Sequence, residues 1–254
     1  GMMAALSAAQ QGAFVTLLER NEKLGRKLNI TGKGRCNLTN NCTAEEALAH
    51  VPCNSRFLFS AFSRFDPQAA MNFFEYLGLA LKTERGNRVF PCSDHSSDII
   101  RALERKMKEY GVCIHLKSQV KSLLLEDGKA EGVCLSNGSV FKGDAVIVAT
   151  GGLSYPTTGS TGDGYRFAEK AGHKVTELSP SLVPLHTKEN YIPEMAGLSL
   201  KNVELTVKSG KKILYRDFGE MMFTHSGITG PLVLSASAHI GTALKKNGEL
   251  TAFL

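Results

Sequence analysis

Residues Asp144-Ala145-Val146-Ile147-Val148-Ala149-Thr150-Gly151-Gly152 form a near-continuous apolar run that ends on paired glycines. A strand buried on both faces of a parallel sheet requires such a run, whereas a half-solvated strand alternates. Two glycines at its carboxyl end let a ligand approach the backbone closely. A related element stands near the start. Residues 1–12 read as a helix of small and apolar residues stopped by Gly12, and residues 13–19 as a strand ending in Glu19. A helix feeding a buried strand is half of a βαβ unit. On that reading the preceding strand lies ahead of Gly1. Gly1 then falls at the third glycine of a G-x-G-x-x-G turn, and Glu19 falls where an acidic group hydrogen-bonds a ribose. Gly1 also reads as a tag remnant before a start at Met2. The last residues, Gly248–Leu254, stop inside strand-like sequence, so the expectation is a piece of a longer protein.

Between these elements, residues 20–40 read as a polar, glycine-punctuated loop and residues 43–110 as a mainly helical insert. Thr43 and Glu46 make a capping box. Asp66-Pro67 supplies an N-cap and a proline at the first helical position, Gly78 closes that helix, and Ser96 caps a helix over 97–110. A strand at 112–116 follows. Three short strands at 120–125, 129–135 and 139–141, split by Asp127-Gly128 and Asn137-Gly138, form an antiparallel meander. Gly162-Asp163-Gly164 opens a helix that ends at Gly172. After Pro180 the texture turns β-rich, with strands at 183–186, 203–208 and 213–216 and a helix over 231–240. The expected domains are 1–178, holding the insert (about 43–110) and the meander (about 120–141), and an incomplete 179–254.

Composition excludes several classes. Of 254 residues, 43% are hydrophobic and 21% charged, which argues against disorder. No apolar run approaches the ~20 residues of a transmembrane helix. The net charge of +6 suits an anionic small molecule as well as nucleic acid, but with no Trp and 7% aromatics there are few platforms for stacking bases. A small-molecule substrate is therefore expected, with no nucleic-acid or membrane partner. The six cysteines, at 36, 42, 53, 92, 113 and 134, form no C-x-x-C. Zinc ribbons and dithiol redox motifs are disfavoured, and reduced thiols point to the cytoplasm. The histidines show no metal spacing such as H-x-x-x-H, so no metal site is expected. Ser154, Ser160 and Ser226 lie outside any G-x-S-x-G elbow, which argues against a hydrolase.

The order of elements (helix, strand ending in Glu, helical insert, strand, meander, V-I-V-A-T-G-G) resembles a two-dinucleotide-binding-domain flavoprotein. The loop Gly25-Arg26-Lys27-Leu28 through Thr31-Gly32-Lys33-Gly34-Arg35-Cys36-Asn37-Leu38-Thr39-Asn40 is more specific. It resembles the signature of the bacterial NAD(P)/FAD-dependent oxidoreductase family of BaiN-like and aminoacetone oxidase-like flavoproteins. Gly159-Ser160-Thr161-Gly162-Asp163-Gly164-Tyr165 and Phe223-Thr224-His225-Ser226-Gly227-Ile228-Thr229-Gly230-Pro231 resemble the same family. Members carry a first strand with the full glycine turn, and a C-terminal segment that covers the flavin; this sequence shows neither. The resemblance implies an α/β, Rossmann-like FAD-binding domain with a helical insert and a second, β-rich domain. It implies an FAD-dependent oxidoreductase that moves hydride or electrons between a donor, NAD(P)H or organic, and an organic acceptor or oxygen. The alternatives are a flavoprotein-like fragment without cofactor or activity, and a basic RNA-binding module.

Roles follow from the resemblance. Gly1, Glu19 and Arg20 would meet the ribose and phosphates. Arg26, Lys27 and Arg35 would lie beside the pyrophosphate, while Gly32 and Gly34 would let backbone approach it. Thr31 and Asn37 would hydrogen-bond the isoalloxazine edge. Cys36 would sit near the flavin, either as a thiolate activated by Arg35 or as a packed thiol. Val120 would contact adenine through its backbone or be a plain strand residue. Ala149, Thr150, Gly151 and Gly152 would meet the cofactor at the carboxyl edge of the sheet. Asp163 would be a helix N-cap or, as in the similar fumarate reductase-like flavoproteins, a cofactor contact. His225 reads as an acid, base or substrate contact, or as a structural residue in a strand-to-helix turn. No residue is identified as catalytic.

Overall fold

Local sequence signals account for most of the helices. In the computed structural model, which describes residues 1–254, the chain divides into two units, Gly1–Val175 and Thr176–Leu254.

In the first unit, α1 (Met2–Gln10) ends before Gly12 and leads to β1 (Thr16–Leu18). The stretch expected as loop is partly ordered: α2 (Arg26–Ile30), a tight turn over Thr31–Gly34 with Gly32 and Lys33 in left-handed conformation, and β2 (Thr39–Asn40). The insert begins with α3 (Ala44–Ala49), whose capping box between Thr43 and Glu46 is formed, and continues through α4 (Phe59–Phe62). α5 (Pro67–Tyr76) starts as its sequence dictates: Asp66 accepts from Ala69 N at 2.6 Å. The insert is not helical throughout. β3 (Leu81–Glu84) and β4 (Arg88–Pro91) form a hairpin, which β2 joins to give a three-stranded antiparallel sheet. α6 (Ser96–Glu109) follows. Ser96 does not cap it. Its hydroxyl is buried and bonds the backbone and side-chain oxygens of Asn29, tying α6 to α2.

β5 (Cys113–His115) runs parallel to β1, pairing Thr16 with Cys113 and Leu18 with His115. The meander is β6 (Val120–Glu126), β7 (Lys129–Leu135) and β8 (Val140–Lys142). At its first turn both Asp127 and Gly128 have positive φ, the primed-turn geometry that the Asp-Gly pair specifies. The expected strand over 145–149 is the main correction. The segment is extended but joins no ladder, and Ile147 and Val148 are 66% and 44% exposed. β1 pairs only with β5, and the apolar run joins neither of them. α7 (Asp163–Lys170) closes the unit. Its core gathers Leu6 and Ala9 of α1 with Ile99, Leu103 and Met107 of α6, around Leu24, Cys36 and Phe74.

The second unit is a five-stranded sheet with one long helix. Its strands are β9 (Leu185–His186), β10 (Ser199–Ser209), β11 (Lys212–Thr224), β12 (Gly227–Thr229) and, after α8 (Pro231–Asn247), β13 (Thr251–Phe253). The order is β13-β10-β11-β12-β9. The short strand expected at 213–216 is the first third of β11. Leu205 and Val207 of β10, Tyr215, Met221 and Phe223 of β11, and Val233, Ala236 and Ile240 of α8 build the core. No helix in the chain is long and apolar enough to cross a membrane.

Candidate functional site

Backbone pairing fixes the carboxyl end of β1. Glu19 N donates to His115 O, while Ser118 N and Lys117 N donate to Glu19 O and Asn21 O, each at 2.9 Å. The Glu19 carboxylate is thereby held at the strand end. Its Oε1 accepts from Asn21 N at 2.8 Å and from Asn21 Nδ2 at 2.7 Å, leaving Oε2 without a protein partner. The start of α1 lies beside it. Burial pushes the Gly1 amine down, against the upward pull of the Glu19 carboxylate. Gly1 offers no capping side chain, and Ala5 N, bonded to Gly1 O at 2.9 Å, is the first amide with a partner inside the helix. The amides of Met2, Met3 and Ala4 are therefore the orphan donors of a helix N-terminus.

The glycine-rich segment 151–164 closes onto this strand end. Arg20 Nη1 donates to Thr161 Oγ1 at 2.7 Å and pairs with Asp163 Oδ2 at 3.3 Å. Asn21 Nδ2 donates to Thr158 O at 3.0 Å, and Arg26 Nη1 to Asn21 Oδ1 at 3.2 Å. Lys27 Nζ donates to Ser154 O at 2.7 Å and sits 5.3 Å from the Tyr155 ring centroid. The approach is close enough that a Cβ on Gly159 would lie 2.9 Å from Asn21 Nδ2. Asp163 is the first residue of α7 and does not cap it; it bonds Arg166 at 2.8 Å as well as Arg20. Arg166 Nη1 reaches Lys121 O at 2.8 Å, next to Val120 at the start of β6. Thr150 packs against Gly164 of α7, and Gly151 against Ser160. Arg20, Asn21 and Lys27 thus bring the 150–164 segment and Asp163 against the end of β1, where Gly1 lies near Glu19.

The remainder of the signature loop is placed differently. Thr31 Oγ1 lies 2.7 Å from Leu28 O, within the loop. Gly32, Lys33 and Gly34 are all left-handed, and Asn37 is exposed. Arg35 does not lie free for a phosphate: its guanidinium bonds Glu84 at 2.6 Å and Asp94 at 2.9 Å. Cys36 is 1% exposed, and burial pushes its thiol up, partly offset by a hydrogen bond to Thr31. Of the two readings of Cys36, the packed thiol is the one the structure supports: Arg35 pairs with two carboxylates, and burial favours the neutral thiol. Its folded-state value lies above the ordinary one. Its contribution to stability is thus fully present below the ordinary thiol range and is lost as pH rises through the folded value. Iodoacetamide at pH 8 is expected to alkylate exposed Cys53, Cys92 and Cys113 at least about tenfold faster than Cys36. Peptide mass mapping measures this, and equal rates would restore the thiolate.

His225 lies exposed in the turn between β11 and β12, not in a strand-to-helix turn. No set of three His, Cys, Asp or Glu side chains converges as a metal would need. A shallow depression of about 530 Å³ lined by Lys129, Glu131, Lys142 and Asp144, and one of about 380 Å³ lined by Glu204, Lys208, Arg216 and Phe253, hold none of the candidate residues. Sequence reasoning passed over Asn21, which links Glu19, Arg26 and Thr158. The only available signal was an amide two residues beyond the acidic strand end.

Comparisons with known proteins bear on the family and the fold. The family model described as HI0933-like protein Rossmann domain matches residues 1–243. The chain is 34% identical over 253 residues to a 3-dehydro-bile acid delta(4,6)-reductase of Clostridium scindens, covering 98% of this chain and 60% of that protein. It is 32% identical over 242 residues to a ribosomal RNA dihydrouridine synthase of Haemophilus influenzae, covering 93% of this chain and 58% of that one. The chain thus spans about three-fifths of the length of these curated relatives. Among solved structures, the open form of a flavocytochrome c3 fumarate reductase superposes with a TM-score of 0.52 at 19% identity, over 79% of this chain and 44% of that one. That likeness speaks to fold. On the extent of the family match, the chain belongs to the HI0933-like Rossmann-domain family, and its first unit has the Rossmann-type fold of FAD flavoproteins.

Proposed function

We propose that this chain is the FAD-binding part of an oxidoreductase. One observation carries the reading: the Glu19 end of β1 lies beside the start of α1, whose first amides are unpartnered, and the 151–164 segment closes onto the same strand end through Arg20 and Asn21. These residues fit the adenosine diphosphate half of the cofactor. Glu19 Oε2 is an unused acceptor at a strand end, suited to ribose hydroxyls. The amides of Met2, Met3 and Ala4 are unused donors in the positive end of the helix dipole, suited to phosphate. Arg20 and Asn21 hold the two stretches in register, and Lys27 adds a positive charge at the rim. When bound, the flavin supplies the hydride chemistry, and the protein supplies binding, orientation and field.

The two named relatives bear on the substrate. A delta(4,6)-reductase and a dihydrouridine synthase both saturate a carbon–carbon double bond conjugated to a carbonyl. We therefore assign hydride addition to such a bond in a small molecule, with NAD(P)H as electron donor and the cytoplasm as compartment. An RNA uridine is the second reading, favoured by the synthase name and the +6 charge.

The test is direct. Purified chain, stripped and titrated with FAD, is expected to turn yellow and to release stoichiometric FAD on heating. Colourless protein that cannot be reconstituted would overturn the assignment in favour of a cofactor-free fragment. Anaerobic bleaching by NADH or NADPH then identifies the donor. Turnover of a conjugated enone without RNA supports the small-molecule reading. An RNA gel shift that weakens steeply with salt, with uridine reduction, favours the second.

A further inference from the structure

We propose that Arg35 is a positioning residue that locks the 31–37 loop onto the β3–β4 hairpin of the insert, and that it makes no contact with phosphate. This rests on the reading of that loop as a flavin-side contact. The loop is held along two lines. On one, backbone bonds run from Leu38 N to Val89 O at 2.8 Å and from Asn41 N to Asn87 O at 2.7 Å, with Thr39 paired to Val89 and Asn40 to Arg88. On the other, Arg35 forks: Nη2 to Glu84 Oε1 at 2.6 Å and Nε to Asp94 Oδ1 at 2.9 Å. Lys82 Nζ braces the same carboxylates from the hairpin, at 2.6 Å to Asp94 and 3.6 Å to Glu84. The guanidinium also lies 4.0 Å from the ring centroid of Phe90, which is 3% exposed.

The need for such a lock follows from the backbone. Gly32, Lys33 and Gly34 are left-handed in succession, and Cys36 is left-handed as well. Non-glycine residues hold that conformation only where the surroundings over-determine it. A planar fork reaching two carboxylates and stacking on a ring fixes direction as well as distance, which a lysine ammonium does not. Two cations and two anions balance, so the cluster has no spare charge to offer a ligand. The shifts in all four groups agree: both carboxyls lie below their usual values and both cations above theirs.

Hydrogen exchange of the full chain, followed by mass spectrometry on peptides covering 31–37, tests the assignment together with FAD release rates. Arg35→Gln is expected to raise apo-protein exchange there by about tenfold and to speed FAD release by a similar factor. Arg35→Lys should fall between it and the wild type, and Glu84→Gln should reproduce part of the effect. Peptides from α8 and β10 should not change; a merely structural role would raise exchange everywhere. Unchanged apo exchange at 31–37 with faster FAD release identifies a phosphate ligand and overturns the proposal. Raised exchange with unaltered FAD release overturns it too. Wild-type chain that takes up no FAD sinks the flavin reading separately, and the apo exchange data still decide whether Arg35 sets the loop.

Discussion

Replacing Glu19 with alanine is expected to weaken FAD binding by about 10- to 100-fold, because a hydrogen bond to a charged acceptor contributes about 1.5–3 kcal/mol. The carboxylate has two tasks. Oε1 fixes Asn21, which in turn grips Thr158 O, and Oε2, without a protein partner, is the acceptor proposed for ribose. Alanine removes both. Glu19→Gln keeps an oxygen for Asn21 but loses the charge, so its affinity should lie between the two. Fluorescence titration of apo-protein with FAD gives the dissociation constants. Equal affinity for wild type and Glu19→Ala would remove Glu19 from the site and with it the ribose assignment.

The second large effect concerns stability. Gly132→Ala is expected to destabilise the first unit by about 3 kcal/mol. Gly132 sits where the β6–β7 register shifts, and its φ is +145°. A Cβ there would lie 2.1 Å from Phe141 O and 2.9 Å from Lys142 Cα. Those are backbone atoms of β8, so no rotamer relieves the clash; the strand itself must move. Gly128→Ala is the control. It also has positive φ, but a Cβ there meets nothing within 4 Å. Its cost should be limited to the left-handed penalty of about 1–2 kcal/mol. Urea denaturation followed by circular dichroism measures both. Equal costs would show that β8 accommodates the added methyl.

Where the chain carries its own local instructions, the sequence was legible. Thr43 with Glu46, Asp66 with Pro67, and Asp127 with Gly128 each specify a short-range geometry, and each formed it. Strands were expected near both β1 and β5, but their parallel pairing emerged only from the structure. Legibility failed where the outcome depends on a distant partner. The 145–149 run advertises burial, but a strand exists only when a neighbour completes its hydrogen bonds, and periodicity does not name that neighbour. The β3–β4 hairpin was hidden because Leu81–Glu84 is too short to show its period, and the turn at Gly86-Asn87 was read inside a helical context. Within the candidate site, the sequence offered basic residues of the type that suits phosphate. Their commitments were not visible. Arg35 is engaged by carboxylates 49 and 59 positions away, a contact only the folded hairpin creates.

The unpaired segment after the meander has a practical corollary for anyone handling the protein. Val146, Ile147 and Val148 combine strong β-propensity with free backbone donors and acceptors, and no charged side chain intervenes between Asp144 and Asp163. Such a stretch is a seed for intermolecular cross-β stacking. Turbidity should therefore grow with concentration faster than unfolding does, and a lysine placed at Ile147 should keep the solution clear.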